Sequence, residues 1–152
     1  MPYDRADHDY SSEQEPLPKG HAATHIGMFL AWAAFHNLVN DFHEQRSAEL
    51  LARLRRREIT GRQFFEAACQ EQFAEKDLNV EGNEFAAHYY RDLAGERGAY
   101  FADYRKTLTT GLPSFWHVAD TWENYEKLAR VIDLRFQQWK NPPRKKWWQF
   151  WK

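Results

Sequence analysis

A single cysteine, Cys69, stands in this 152-residue chain, so no disulfide can form within it. Long hydrophobic runs are missing too. The longest, Met28 to Phe35, falls far short of the roughly 20 apolar residues that a membrane span needs, so no stable membrane insertion is expected. No basic-then-apolar leader opens the sequence, and a reducing, cytoplasmic setting is the expectation. Ile and Val are scarce, which disfavours a sheet, because β-branched side chains usually dominate strands. An excess of one charge is also lacking. Lys and Arg number 21 against 22 Asp and Glu, for a net charge of −1, so no global field draws the chain to nucleic acid. Nor is there a glycine-rich phosphate loop, a nucleophile elbow or a paired-carboxylate signature.

What is present is aromatic. Phe, Tyr and Trp make up 16% of the chain and hydrophobic residues 43%, enough for a real core at the size of one domain. With abundant Ala and Leu, the composition predicts an all-α single-domain bundle of about six helices. Residues 1–20 carry Asp4, Asp7, Asp9, Glu13 and Glu15 with Pro16, Pro18 and Gly20, and read as a flexible acidic arm. Residues 21–140 read as the helical domain. Residues 141–152 read as a basic, Trp-rich tail.

Periodicity places the helices. Ile26, Met28, Phe29, Leu30, Trp32, Phe35, Leu38, Val39 and Phe42 cover nearly the whole circumference of a first helix from about Ala22 to Phe42. An element apolar all round is normally the central one. A second helix from about Ser47 to Arg57 buries Leu50, Leu51 and Leu54. Thr60 with Gln63 has the form of a capping box and opens a third helix that aligns Phe65 with Cys69 and Phe73. A fourth stacks Phe85, Tyr89 and Leu93, and a fifth places Tyr100, Tyr104 and Leu108 on one face. In the last and longest helix, Val118, Trp122, Tyr125, Ala129, Ile132, Phe136 and Trp139 recur at spacings of four and three. That seam suits burial inside the domain or pairing with a second copy to form a homodimer. Asp120 with Glu123 suggests a capping box at its start.

Candidate chemistry is thin. Asp77, Asn79 and Glu81 with Gly82 mimic the opening of a calcium loop, but Glu84 and His88 occupy positions that need an apolar residue and a bidentate glutamate. The plainer reading is a turn whose Asp and Asn bind their own backbone and start a helix, with Gly82 supplying a strained angle. His21 with His25, Glu84 with His88, and His36 with His43 have ligand-like spacings, yet zinc needs three or four convergent ligands. No metal or other cofactor is expected, and Cys69 reads as a small buried hydrophobe. The alternative is a small metal-dependent enzyme using His25, Asp77 and His88.

Contact is better represented than catalysis. Trp147, Trp148, Phe150 and Trp151 crowd the end of the chain. Burying each is worth roughly 1.5–3 kcal/mol, so they are expected to dock on the domain, a partner protein or lipid. Arg53, Arg56 and Arg57 form the main basic cluster of the body and suit an acidic patch on a protein. Phe115 and Trp116, beside the Pro113 turn, are further candidate anchors.

The segment from Ala23 to Trp32, Asp77-Leu78-Asn79 with Glu81-Gly82-Asn83, then Phe85 and Tyr89-Tyr90, resembles a widespread family of small uncharacterised bacterial proteins. With the Tyr100 to Tyr104 stretch and the Trp122 helix, the resemblance covers roughly residues 20–139. It carries over no activity. In size and build the family is similar to immunity proteins that neutralise bacterial toxins. The expectation is therefore a non-catalytic immunity or antitoxin protein that binds a toxin or effector domain stoichiometrically.

Overall fold

The computed structural model describes residues 2–5, 21–70, 72–91 and 97–142. Among them run strand β1 (Pro2–Arg5) and helices α1 (Thr24–Phe35), α2 (Asp41–Arg46), α3 (Ala48–Arg55) and α4 (Gly61–Ala68). Strand β2 (Gln72–Ala74), α5 (Val80–Tyr89), α6 (Ala99–Leu108) and α7 (Trp122–Lys140) follow. Short 3₁₀ turns occupy His21–Ala23, Glu75–Asp77 and Phe115–His117. The fold is all-α with a long C-terminal helix and one two-stranded antiparallel ribbon.

α1 is central. Every residue from Thr24 to Ala34 is buried, and the helix packs against α4, α3 and α7. Its approach to α4 is closest where Gly27 meets Gly61. A Cβ on Gly61 would lie 1.9 Å from the Gly27 carbonyl oxygen, and one on Gly27 would lie 2.2 Å from the Arg62 amide nitrogen. Only two glycines let these backbones touch.

The first helix is shorter than its hydrophobic pattern predicts. Asn37 adopts a left-handed φ of 56°, and the amides of Asn37 and Leu38 fold back onto the carbonyls of Ala34 and Ala33. This C-terminal cap ends α1. Asn40 then caps α2 through the Phe42 amide at 3.0 Å. Leu38 and Val39 are buried in the connector, so apolar periodicity continued where the helix did not.

Other local readings fare differently. The Thr60–Gln63 capping box is present, but α4 ends at Ala68, Gln70 is left-handed (φ 54°), and Phe73 lies in β2 rather than on the helix. Asn79 caps α5 through the Gly82 amide at 2.8 Å, as the turn reading expects. Gly82 is helical and supplies no strained angle. Its Cβ would meet the Leu38 carbonyl oxygen at 2.6 Å, so close packing requires it. α7 is capped by Thr121 through Asn124 at 3.1 Å. Asp120 instead accepts the Thr60 hydroxyl at 2.6 Å. The α7 seam faces inward: Tyr125, Ala129 and Ile132 are buried, and Trp122, Phe136 and Trp139 pack on the core.

The flexible-arm expectation does not hold for residues 2–5, while residues 6–20 lie outside the described residues. β1 pairs with β2 across a register irregularity between Pro2 and Asp4. A regular strand alternates its side chains between faces; here the irregularity accompanies consecutive burial of Tyr3 and Asp4. Tyr3 lies 5.0 Å from the Phe73 ring, centroid to centroid, and donates to Asn83 Oδ1 at 2.8 Å.

The glycine contact has a measurable consequence. Gly61→Ala should lower unfolding free energy by more than about 3 kcal/mol, beyond ordinary overpacking, because backbone must move. Gly111 faces open space at φ +82°, so Gly111→Ala should cost only about 1 kcal/mol, from its backbone angle alone. Urea titrations of both variants measure the difference.

Candidate functional site

Three polar groups are built into the aromatic core. In the first, His25 Nε2 lies 2.7 Å from Asp4 Oδ2, and the Tyr90 hydroxyl donates to the same oxygen at 2.7 Å. The Arg5 amide donates to Asp4 Oδ1 at 2.8 Å. Phe101, Tyr104, Phe115 and Trp116 surround the His25 ring at centroid distances of 5.3–6.0 Å. Its Nδ1 is buried and has no partner among the described residues, and the Tyr100 hydroxyl donates to the His25 carbonyl. Burial would raise the Asp4 carboxyl, but the His25 hydrogen bond and charge, the Tyr90 hydroxyl and the Arg5 amide outweigh it and hold it at about 2.

In the second, His43 Nε2 lies 2.8 Å from Asp77 Oδ1 and 3.9 Å from Cys69 Sγ. His43 and Asp77 are wholly buried, as is Cys69. Three elements converge here. Asn40 positions α2 by capping it and by donating to the Leu78 carbonyl at 3.3 Å. The Asn79 amide and the Leu38 carbonyl join the flanking loops at 2.9 Å. Asp77 Oδ2 accepts the Ala74 amide at 2.8 Å, and Cys69 occupies the C-cap of α4. Burial pushes the Cys69 thiol well up, the Asp77 carboxylate adds to this, and Lys76 opposes it. A thiol so held is not a reactive thiolate at neutral pH.

The third group opens to the surface. Asp103 accepts the Tyr89 hydroxyl at 2.7 Å and a forked pair from Arg135 at 2.9 and 3.0 Å. Tyr89 and Arg135 of this group line a cleft of about 370 Å³ together with His88, Ala99, Gln138, Trp139 and Pro142. Gln138 also borders an open depression of about 400 Å³ with Leu134, Gln137 and Asn141. Leu134 is 55% exposed. The C-terminal half of α7 thus presents leucine, amide and tryptophan side chains between two hollows, and we take it as the candidate binding surface.

The residues singled out in the sequence are distributed otherwise. His25, Asp77 and His88 do not form a site: His25 binds Asp4, Asp77 binds His43, and His88 is exposed on the cleft wall. Among the described residues, the one group with metal-ligand convergence is His43, Cys69 and Asp77. Arg53 is exposed. Arg56 pairs with Glu58 at 2.8 Å, and Arg57 pairs with Glu126 and lies 4.6 Å over the Trp122 ring. Phe115 and Trp116 are half-buried roofing over His25. Trp147, Trp148, Phe150 and Trp151 lie outside the described residues.

Spacing gave no access to the buried groups. Cys69 reads in sequence as a small buried residue, which it is, but positions 43, 69 and 77 belong to separate elements. Asp4 was hidden in an acidic stretch, where only the adjacent Tyr3 signalled burial.

A family profile described as a domain of unknown function, DUF7832, matches residues 2–118. The chain belongs to this family. The match includes β1 and all residues of the His25 and His43 groups, and it stops before α7 begins. No curated protein and no solved structure matches the chain.

The Asp4 carboxyl links stability to pH. Its folded value of about 2 lies below the ordinary 3.8, so its contribution is complete above about pH 4 and is lost as pH falls towards 2. Asp4→Asn should remove roughly 2 kcal/mol of the pH dependence between about pH 5 and pH 2. Denaturant midpoints of both proteins across that range provide the measurement.

Proposed function

We propose that this DUF7832 protein works by stoichiometric binding of a protein partner, in the manner of an immunity or antitoxin protein covering a toxin or effector domain. A reducing, cytoplasmic compartment suits its lone buried thiol. The reading rests on the outer side of α7, where Leu134, Gln137 and Gln138 are exposed and the edge of half-buried Trp139 borders one of the two hollows. Apolar and aromatic side chains flanked by amides and an arginine are the chemistry of protein recognition. In Arg135, the fork is already spread by Asp103, so little side-chain freedom is lost when a partner covers it.

After Asn141, Pro142 and Pro143, the sequence runs from this helix into the basic, Trp-rich residues 144–152. In this proposal the α7 face and that tail together make the anchor, with exposed Arg53 outside it. The acid–base side chains of the core serve as internal ties. Asp4, His25, His43, Asp77 and Cys69 are at most 5% exposed and are spent on one another, which supports contact over turnover.

The test uses the product of the neighbouring gene as the trial partner. Titration calorimetry should give one partner per chain. Leu134→Glu and deletion of residues 144–152 should each weaken binding at least about tenfold, a cost near 1.4 kcal/mol, while far-UV dichroism stays unchanged. Full affinity in both variants would contradict the assignment of this face. A stable dimer of the chain alone that Leu134→Glu dissociates would reassign the same surface to self-association.

A further inference from the structure

We propose that His43, Cys69 and Asp77 form a buried metal site that takes a zinc ion through His43 Nε2, Cys69 Sγ and an Asp77 carboxylate oxygen. The three ligand atoms all lie within 4.8 Å of one another. Two arrangements bring a cysteine, a histidine and an aspartate together, and their geometries differ. In a nucleophilic triad the thiol meets one ring nitrogen and the carboxylate orients the other. Here sulfur and carboxylate both approach Nε2, at 3.9 and 2.8 Å, while Nδ1 faces Ser47 Oγ at 3.4 Å. Convergence of sulfur, nitrogen and oxygen on one point is the geometry of a coordination centre.

Bond lengths support the fit. Zinc binds nitrogen and oxygen at about 2.0–2.2 Å and thiolate sulfur at about 2.3 Å, so tetrahedral ligand atoms stand roughly 3.3–3.7 Å apart. The observed separations of 2.8 and 3.9 Å bracket that range, and side-chain shifts of about half an ångström reach it. Donor chemistry favours zinc, since thiolate with imidazole is a set that hard oxygen-seeking ions such as calcium and magnesium avoid.

Charge balance points the same way. A thiolate and a carboxylate neutralise one divalent ion, so the filled site is neutral where all three side chains are buried. On binding, the Cys69 thiol releases its proton to solvent. The Asp77 carboxylate can only accept, so Nε2 carries a proton in the metal-free state. That proton is released to solvent while Nδ1 takes one up, so the ring stays neutral and its Nδ1 hydrogen points to Ser47 Oγ, which fixes the ring. The ion would join α2, the end of α4 and the turn before α5, a clamp separate from the α7 binding face.

Because Cys69 is the only cysteine, cobalt reports on it without ambiguity. Untagged full-length protein, refolded with cobalt and passed through a desalting column, should retain one ion per chain. It should show intense tetrahedral visible absorption and an ultraviolet thiolate-to-cobalt band. Zinc should displace cobalt, abolish both signals and raise Tm by roughly 5 °C or more over chelator-treated protein. Cys69→Ala, which keeps a small apolar side chain, should lose the ultraviolet band and at least about tenfold in affinity. Should that variant fail to fold, the wild-type band decides alone. Cobalt retained without a thiolate band, or no metal retained, would overturn the proposal.

Discussion

Contact between the backbones of α1 and α4 at Gly27 and Gly61 is the constraint on which the rest of the structure depends. It lets α1, buried from Thr24 to Ala34, approach α4 backbone to backbone, and it fixes where the ends of both helices point. The start of α1 carries His25 towards β1 and Tyr90. The end of α4 delivers Cys69 to His43. With α1 held from several sides, Trp32 donates its indole N–H to Asp133 of α7 at 2.8 Å, and His36, stacked on Trp32 at 4.3 Å, approaches the same carboxylate at 3.1 Å. The long C-terminal helix is thereby locked to the centre, leaving its far side for other contacts.

A core so rich in aromatics also explains the buried polar groups. Phe and Tyr rings fill space in large units, and the gaps between them accommodate histidine rings of similar shape. A buried histidine or carboxylate is costly unless paired. His25 with Asp4, and His43 with Asp77, meet that condition across distant parts of the chain. The pair on β1 also specifies register: that strand displaced by one residue would leave the Asp4 carboxylate without its partner. β1 is too short to hold itself by ladder hydrogen bonds alone. Tyr3 and Asp4 anchor it by side chains instead, and the Arg91 guanidinium adds a bond to the Tyr3 carbonyl at 2.6 Å.

How much of this was legible in the sequence depended on whether the signal was local. The Thr60 cap, the Tyr100–Tyr104–Leu108 face, the central burial of α1 and the α7 seam from Trp122 to Trp139 are all periodic or capping patterns and are present, while Val118 precedes the helix and periodicity alone left open whether the seam faces the domain or a second copy. The break after Phe35 was misread because Leu38, Val39 and Phe42 prolong the apolar pattern, although Asn37 and Asn40 carry the termination and restart. Phe73 was assigned to a helix for the same reason. β1 was missed because four residues among acids give no alternation to detect. Of the candidate site, Trp139 was visible in the seam, whereas Leu134 matters by being outside it. The His43, Cys69 and Asp77 cluster had no sequence signature, since convergence of three elements is a property of packing.

The scaffold is tied internally, is organised around α1 and turns one face of α7 outward. Native-state hydrogen exchange followed by NMR tests that organisation most directly. Amides of residues 26–34 should exchange only through global unfolding, with free energies and urea dependence equal to those of the whole protein. Exchange of α1 by a smaller opening, ahead of α5 or α7, would contradict it.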